Sequence, residues 1–317
     1  MSSMISTEPH ILVTGANGFV GRHLVDRFKM DGIKCTQLLR GKLSSSLECD
    51  STIFVDLLDK KRVEDIFFEI QPNYVIHLAA LKGRSGEEHL LRREFENNLT
   101  ISTNVIDGCL RLKNLQKFIY LGSCEEYGTT LPPFREDQQE APISMYGMSK
   151  LAVKRKLSDL YYSKKFPSLV LRPSVVYGPN QGCEMFLPAL INALLEGRDF
   201  RMTEGIQLRD FIYIDDLIDA IMKSIIANNH LLGSVVNIAS GSSIEIRSIA
   251  KLASELIGGD VFDILKFGFV PYRDKEIMNF SVDIARAKTF LNWHPNTELK
   301  QGLFQTIDWY RKFSGNR

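Results

Sequence analysis

Charge of either sign is nowhere in excess: 39 Lys and Arg stand against 38 Asp and Glu, a formal net charge of +1. That balance gives no electrostatic bias toward nucleic acid or an anionic membrane. Long apolar runs are missing as well, and stretches such as Tyr74–Leu81 fall far short of the ~20 residues that cross a bilayer. The opening MSSMISTEPH has no positive start leading into an apolar core, so it reads as a loose polar tail and not as a signal peptide. Cysteine is sparse and odd in number. Cys35, Cys49, Cys109, Cys124 and Cys183 are widely spread with no CxxC, which suits free thiols in a reduced cytoplasm and excludes a disulfide framework. The six histidines form no HxH or HExxH, so no metal site is expected. Repeats, low-complexity tracts and long linkers are also lacking.

What is present is alternation. "HILVT" (10–14), "KCTQLLR" (34–40), "TIFVD" (52–56), "NYVIHLAA" (73–80), "KFIYLGS" (117–123) and "SLVLRPSVVYG" (168–178) read as strands. Between them, Val20, Leu24 and Phe28 fall at helical spacing. Val63, Ile66, Phe67 and Ile70 make an i, i+3, i+4, i+7 stripe that Pro72 ends, and further helices are expected near 94–113 and 146–165. Strands apolar on both faces and joined by helices predict a doubly wound parallel sheet of the Rossmann type. After Gly178 the order loosens, through a helix over 186–197, strands over 209–214 and 234–240 and a helix over 246–257. The expected division is therefore a dinucleotide-binding domain over 1–178, borrowing elements from about 206–240, and a smaller C-terminal α/β substrate domain over 179–317.

"TGANGFVG" sets Gly15, Gly18 and Gly21 in GxxGxxG spacing between the first strand and the first helix. A tight turn there needs a residue without Cβ, and a pyrophosphate needs close backbone N–H groups and a helix N-terminus. No GK[ST] follows, so this is not a P-loop, and Arg22 is no substitute. Where an NAD site places an acid at the end of strand two, this chain reads "LLRGK": Arg40 follows Gly21 by 19 residues, Lys42 is close by, and no acid occurs from Lys34 to Leu47. A guanidinium pairs with a 2′-phosphate that a carboxylate would repel, so NADP(H) is expected, with NAD as the alternative. "YGMSK" puts Tyr146 and Lys150 at i and i+4 of a helix start, on one face. The ammonium is expected to lower the phenol pKa and make Tyr146 a proton donor or acceptor. Ser123, at a strand end in "YLGSCEEYG" (120–128), can hydrogen-bond the same oxygen.

These motifs together resemble the extended short-chain dehydrogenase/reductase family, in the branch acting on nucleotide sugars, from His10 to Tyr310. "TGANGFVG", "DLLD", "HLAA", "NNLTISTNV", Ser123, "YGMSK", "LRPSVVYGP", "RDFIYIDD" and "PYRDKE" carry the likeness. The resemblance implies that Asp56 and Leu57 meet the adenine and that Ala79 and Ala80 line the cofactor cleft. It places Asn98 and Pro173 near the nicotinamide, with Lys150 on its ribose, and extends the cofactor contacts to Asn17, Phe19, Val20, Leu78, Tyr146 and Val175. Arg209 and Arg273 match arginines that grip a sugar-nucleotide diphosphate in similar enzymes, a task the planar fork suits. The resemblance also implies a homodimer paired through the helices around 94–113 and 146–165. One departure is Val175-Val176, where many sugar epimerases have Asn before "YGP".

Three chemistries share such a scaffold. A dehydratase has an Asp-Glu pair just after the Ser/Thr; here the pair is Cys124-Glu125, and a thiol of pKa about 8.5 is a poorer acid for the task. "GSCEEYG" is similar to the stretch in 4-keto-6-deoxysugar reductases. With Arg40, that favours reduction of a 4-keto-6-deoxyhexose nucleotide, with 4,6- or 5,6-dehydratase and 4-epimerase as alternatives. In the dehydratase alternative Glu125 is the base and the Cys124 thiol the acid, both within reach of the neighbouring sugar carbons. In the reductase reading Ser123 shares the reacting oxygen, Cys124 is a small packing residue and Glu126 points away to a turn or surface role. A dinucleotide-sensing module without turnover is the alternative of another class, since fold does not fix function.

Overall fold

A computed structural model describes residues 9–41, 51–81, 87–258 and 262–313. Lys42 and Cys49 lie outside the described residues. The chain begins β1 (Ile11–Thr14), α1 (Phe19–Met30), β2 (Cys35–Leu39), β3 (Ser51–Phe54), α2 (Lys60–Ile70), β4 (Tyr74–His77), α3 (Glu88–Cys109), β5 (Lys117–Leu121), α4 (Met145–Lys164) and β6 (Ser168–Pro173). It continues with β7 (Val175–Tyr177), α5 (Phe186–Leu195), β8 (Phe200–Arg201), β9 (Leu208–Tyr213), α6 (Ile214–Ile226), β10 (Val235–Ile238), β11 (Ser243–Glu245) and α7 (Ile246–Ile257). Last come β12 (Leu265–Lys266), β13 (Asn279–Phe280), α8 (Ala285–Phe290) and α9 (Leu299–Phe313).

One compact unit takes in the described residues up to Glu126, with Glu140–Arg172 and Ile221–Val236. It holds a seven-stranded sheet in the order β10-β6-β5-β4-β1-β2-β3, and β1 to β6 pair in parallel. β1, β2, β5 and β6 are buried along their whole length, which is why they are largely apolar on both faces, with Gln37, Lys117 and Arg172 as buried exceptions. A core of Leu12, Leu38, Phe67, Val75, Val105, Phe118 and Leu157 joins the sheet to α2, α3 and α4. The chain winds outward from β1 in both directions, so the carboxyl ends of β1 and β4 form the switch point at which such sheets take ligands.

The second unit comprises 127–139, 173–220 and the described residues from Asn237 onward. Its β9 pairs in parallel with β7 and β13 and antiparallel with β11. Trp293 is buried and donates to the Asp216 carbonyl, while the Asp216 carboxylate accepts the N–H groups of Asn296 and Thr297.

One expectation is corrected: the run 168–178 is not one strand, since Pro173 closes β6 and Val175–Tyr177 pairs with β9.

Candidate functional site

The glycine turn is closed by backbone. Gly15 has φ +70, and a Cβ there would stand 2.7 Å from the Ala79 nitrogen, so β1 can approach β4 this closely only without a side chain. Gly18 donates to the Gly15 carbonyl at 3.0 Å and caps α1 with no side-chain hydrogen bond. The first N–H groups of that helix, at Phe19 and Val20, therefore have no side-chain cap and suit an anion. The Phe19 ring itself packs on His23.

Beside this turn is a cleft of about 170 Å³ lined by Gly15, Asn17, Gly18, Arg40, Asp56, Leu57, Leu78, Ala79 and Ala80, together with Leu38, Leu81 and Ile101. The glycine turn, the uncapped helix end and an apolar slot fit a dinucleotide. The last three residues were not anticipated; Leu38 stands two positions before Arg40 on β2, and Ile101 one helical turn beyond Asn98, which is the signal that would have found them. Asp56 accepts the Leu58 N–H at 3.0 Å, and Asn104 holds that turn through the Leu57 and Leu58 carbonyls. Arg40 also lines an adjoining cavity of about 290 Å³, together with the guanidinium of Arg93 and the carboxylate of Glu94.

Asn98 ties this cleft to α4, the helix of Tyr146 and Lys150. Its amide exchanges hydrogen bonds with the backbone of Leu81, at 2.7 and 2.8 Å, and donates to Ser149 Oγ at 3.3 Å. Ser149 lies beside Lys150 and bonds the Tyr146 carbonyl. Lys150 is buried, donates from Nζ to the Leu121 carbonyl at 2.7 Å, and lies 5.5 Å from the Tyr146 ring centre and 4.9 Å from that of Tyr120. Beneath it, His77 shares hydrogen bonds with Thr14 at 2.7 Å and Ser102 at 3.0 Å. Burial, with the Lys150 charge, pushes His77 down to about 3, so the imidazole is neutral.

The expected depression of the Tyr146 phenol is not what the structure gives. Burial, and then the charges of Glu125, Glu126 and Glu94, hold its pKa well above the ordinary tyrosine value. Ser123 opens the loop after β5; its hydroxyl accepts the Glu125 N–H at 3.1 Å. The Glu125 carboxylate accepts the Ser144 hydroxyl at 2.8 Å, and Ser144 caps α4 by accepting the Gly147 N–H at 3.0 Å. Ser123, Glu125 and the start of the Tyr146 helix are thus one linked unit. Cys124 is fully buried and donates to the Arg172 carbonyl at 3.3 Å. Glu126 corrects a further expectation: it turns inward, with no exposed surface, against Arg172.

In the second unit Pro173 ends β6 and the half-buried Val175 begins β7, in register with Phe211. Arg209 donates to the carbonyls of Leu208 and Ile277, each at 2.7 Å, and pairs with Glu276. The Glu276 N–H bonds the Arg273 carbonyl at 3.1 Å, closing a backbone turn from Arg273 to Glu276. Among the described residues no cluster of three His, Cys, Asp or Glu is placed to hold a metal, and no helix is long and apolar enough to cross a membrane.

Known proteins share this architecture along nearly their full length. An uncharacterised UDP-glucose epimerase of Bacillus subtilis is 28% identical, with 94% of this chain and 96% of that protein covered. A UDP-N-acetyl-alpha-D-glucosaminuronate decarboxylase of Bacillus cytotoxicus is 27% identical, with 96% and 98% covered. The crystal structure of the Thermotoga maritima UDP-glucose 4-epimerase, with UDP-glucose, superposes with a TM-score of 0.87 at 26% identity, covering 96% of this chain and 99% of that one. The family model described as the NAD dependent epimerase/dehydratase family matches residues 11–239. With the glycine turn, the Tyr146–Lys150 helix and the parallel sheet that carries them, the chain belongs to that family of extended short-chain dehydrogenase/reductase enzymes.

Proposed function

We propose that this enzyme reduces the 4-keto group of a nucleotide-linked 4-keto-6-deoxyhexose with NADPH, releasing NADP. The observation that carries the reading is the placement of Tyr146, half-buried at the start of α4. It lies beside the buried Lys150 and is linked through Ser144 and Glu125 to Ser123, with its phenol pKa raised by desolvation and three carboxylates. A keto oxygen becoming a hydroxyl needs a proton donor, and a neutral phenol is one. Ser123 would hydrogen-bond that oxygen, and Lys150 would hold the cofactor ribose. The glycine turn, the α1 N-terminus, Asp56, Leu57 and the 78–80 segment would hold the dinucleotide, whose nicotinamide supplies hydride exchange when bound.

Elimination finds little support in the side chains. The Cys124 thiol is engaged with a backbone carbonyl, and the Glu125 carboxylate is engaged with the helix cap. Arg40, which lines the cleft beside the glycine turn, would pair with the 2′-phosphate of NADP(H). Arg209 and Arg273 would serve the sugar-nucleotide diphosphate. The dispersed cysteines suit a cytoplasmic enzyme, and α3 with α4 would pair two copies, which sedimentation of the 36.0 kDa chain would reveal as a doubled mass.

The test is incubation with dTDP-4-keto-6-deoxyglucose. One NADPH should be oxidised per sugar, NADH should serve less well, and Arg40→Ala should narrow that difference. A second reading, 4-epimerisation with retained NAD, is favoured by the UDP-glucose 4-epimerase relative and by a Bacillus cereus UDP-glucuronic acid 4-epimerase crystallised with NAD. It would prevail if UDP-glucose and UDP-galactose interconvert without net cofactor use. Tight NADPH binding with no turnover of either sugar would indicate a sensing module.

A further inference from the structure

Two adjacent glutamates follow Ser123, and the fold gives them different work. Glu125 reaches the α4 cap. Glu126 is 0% exposed, and its two oxygens serve two different partners. Oε1 accepts the Ser123 backbone N–H at 2.8 Å. Oε2 accepts Nε and Nη2 of Arg172 at 2.9 and 2.7 Å. Arg172 is equally buried on β6, and its Nη2 also reaches Glu140 at 2.7 Å. Two more ties run from this loop to the same strand: Gly122 N–H to the Leu171 carbonyl at 2.8 Å, and the Cys124 thiol to the Arg172 carbonyl. Gly122 itself makes room for the carboxylate, since a Cβ there would stand 2.5 Å from Glu126 Oε1.

A buried ion pair is weak evidence for stability, because desolvation consumes much of the Coulombic gain. This one is joined directly to the amide of Ser123, and the Ser123 hydroxyl is fixed from the other side by the Glu125 N–H. We propose that Glu126, held by Arg172, is the positioning residue for Ser123: a carboxylate bridge from β6 that fixes where the hydroxyl meets the reacting sugar oxygen. The proposal rests on the reading of Ser123 given above. Only a carboxylate can do this, because it accepts on both oxygens, whereas a glutamine accepts on one and donates from the other end. In Glu126→Gln the Arg172 charge draws the amide oxygen, and the NH₂ is left facing the Ser123 N–H.

The experiment compares Glu126→Gln with Glu140→Gln and Ser123→Ala. Glu140 shares the same arginine but does not touch Ser123. The first readout is amide hydrogen exchange at Ser123, which needs no turnover. Its protection should fall about 10-fold or more in Glu126→Gln and stay at the wild-type level in Glu140→Gln. The second is steady-state kinetics with dTDP-4-keto-6-deoxyglucose and NADPH. In Glu126→Gln kcat should fall about 10-fold or more with KM and NADPH affinity within about 3-fold, the pattern of a misplaced group. Glu140→Gln should lower Tm yet keep kcat within about 3-fold. If Glu126→Gln does not fold, Glu126→Asp keeps the charge, withdraws the oxygen from Ser123, and is held to the same outcomes. Unchanged protection and kcat in the Glu126 variant, with Ser123→Ala impaired, overturn the proposal. So does an equal loss of kcat in Glu140→Gln, which would make the cluster a stability device. A Ser123→Ala enzyme of wild-type kcat would instead sink the reading of Ser123 on which the proposal stands.

Discussion

A phenol that is to protonate a keto sugar must arrive protonated, and Tyr146 has burial and the charges of Glu125, Glu126 and Glu94 to keep it so. The Lys150 ammonium, 5.5 Å from the ring centre, does not offset them. Reduction should then show no alkaline limb from a phenol at neutral pH, with kcat level up to about pH 9. Tyr146→Phe should cut kcat on the order of 100-fold or more with NADPH affinity unchanged. A wild-type kcat that falls with an apparent pKa near 7 would show that the phenol ionises more easily than its surroundings imply. The Tyr146–Lys150 pair was legible in the sequence because i and i+4 on a helix start fix their own geometry. The ionisation of Tyr146 was not, because "YGMSK" reveals one neighbouring cation while three carboxylates arrive from α3 and the β5 loop. Glu126 was misread for the same reason: nothing in "CEEYG" separates two adjacent glutamates, and the arginine that draws the second inward is 46 residues away.

At the scale of elements, the start of α4 is where the proposed catalytic geometry and local stability coincide. Ser144 both caps the helix and binds Glu125, and removing an N-cap hydroxyl costs about 1 kcal/mol. Ser144→Ala should therefore lower Tm by a few degrees, about 2–4 °C for a chain of this order, and lower kcat as Tyr146 loses its anchor. Gly147→Ala should do more harm, since a Cβ there would stand 2.7 Å from the Glu125 carbonyl and the backbone itself must yield. Paired thermal melts and kinetics check both, and an unaltered kcat in Ser144→Ala would uncouple the cap from the site. Most elements of the sheet were readable, because its strands are largely apolar and helices follow β1, β3, β4 and β5. The break at Pro173 was missed although a proline inside a strand-like run is itself a signal; that the second half pairs with β9, far along the chain, was not readable from "LRPSVVYG". α9 did carry a signal, as Leu303, Ile307 and Tyr310 are buried on one face at helical spacing.

For the molecule as a whole, the buried titratable groups predict how stability responds to acid. His77 lies under Lys150 with both ring nitrogens hydrogen-bonded and a pKa pushed down to about 3 by burial and the Lys150 charge. In the unfolded chain it takes up a proton near its ordinary value of 6.5. The unfolded state therefore binds more protons between those values, and its contribution to stability, complete above pH 6.5, is lost as pH falls toward 3. Glu140 joins lower down. Burial alone would raise its pKa, but hydrogen bonds from Lys154 and Arg172 outweigh burial and hold it at about 2, so its share is lost from about 4.5 downward. Between pH 6.5 and 4.5 the imidazole acts alone of these two, and the loss is on the order of 2 kcal/mol, or a Tm decrease of about 5 °C. His77→Gln keeps an amide between Thr14 and Ser102 but does not titrate. It should be less stable than wild type at pH 7.5 and flatter across this window, so that the two melting curves converge as the solution is acidified. Parallel Tm-against-pH lines for the two proteins would mean that another group carries the acid sensitivity, and that the imidazole beneath Lys150 is not held neutral.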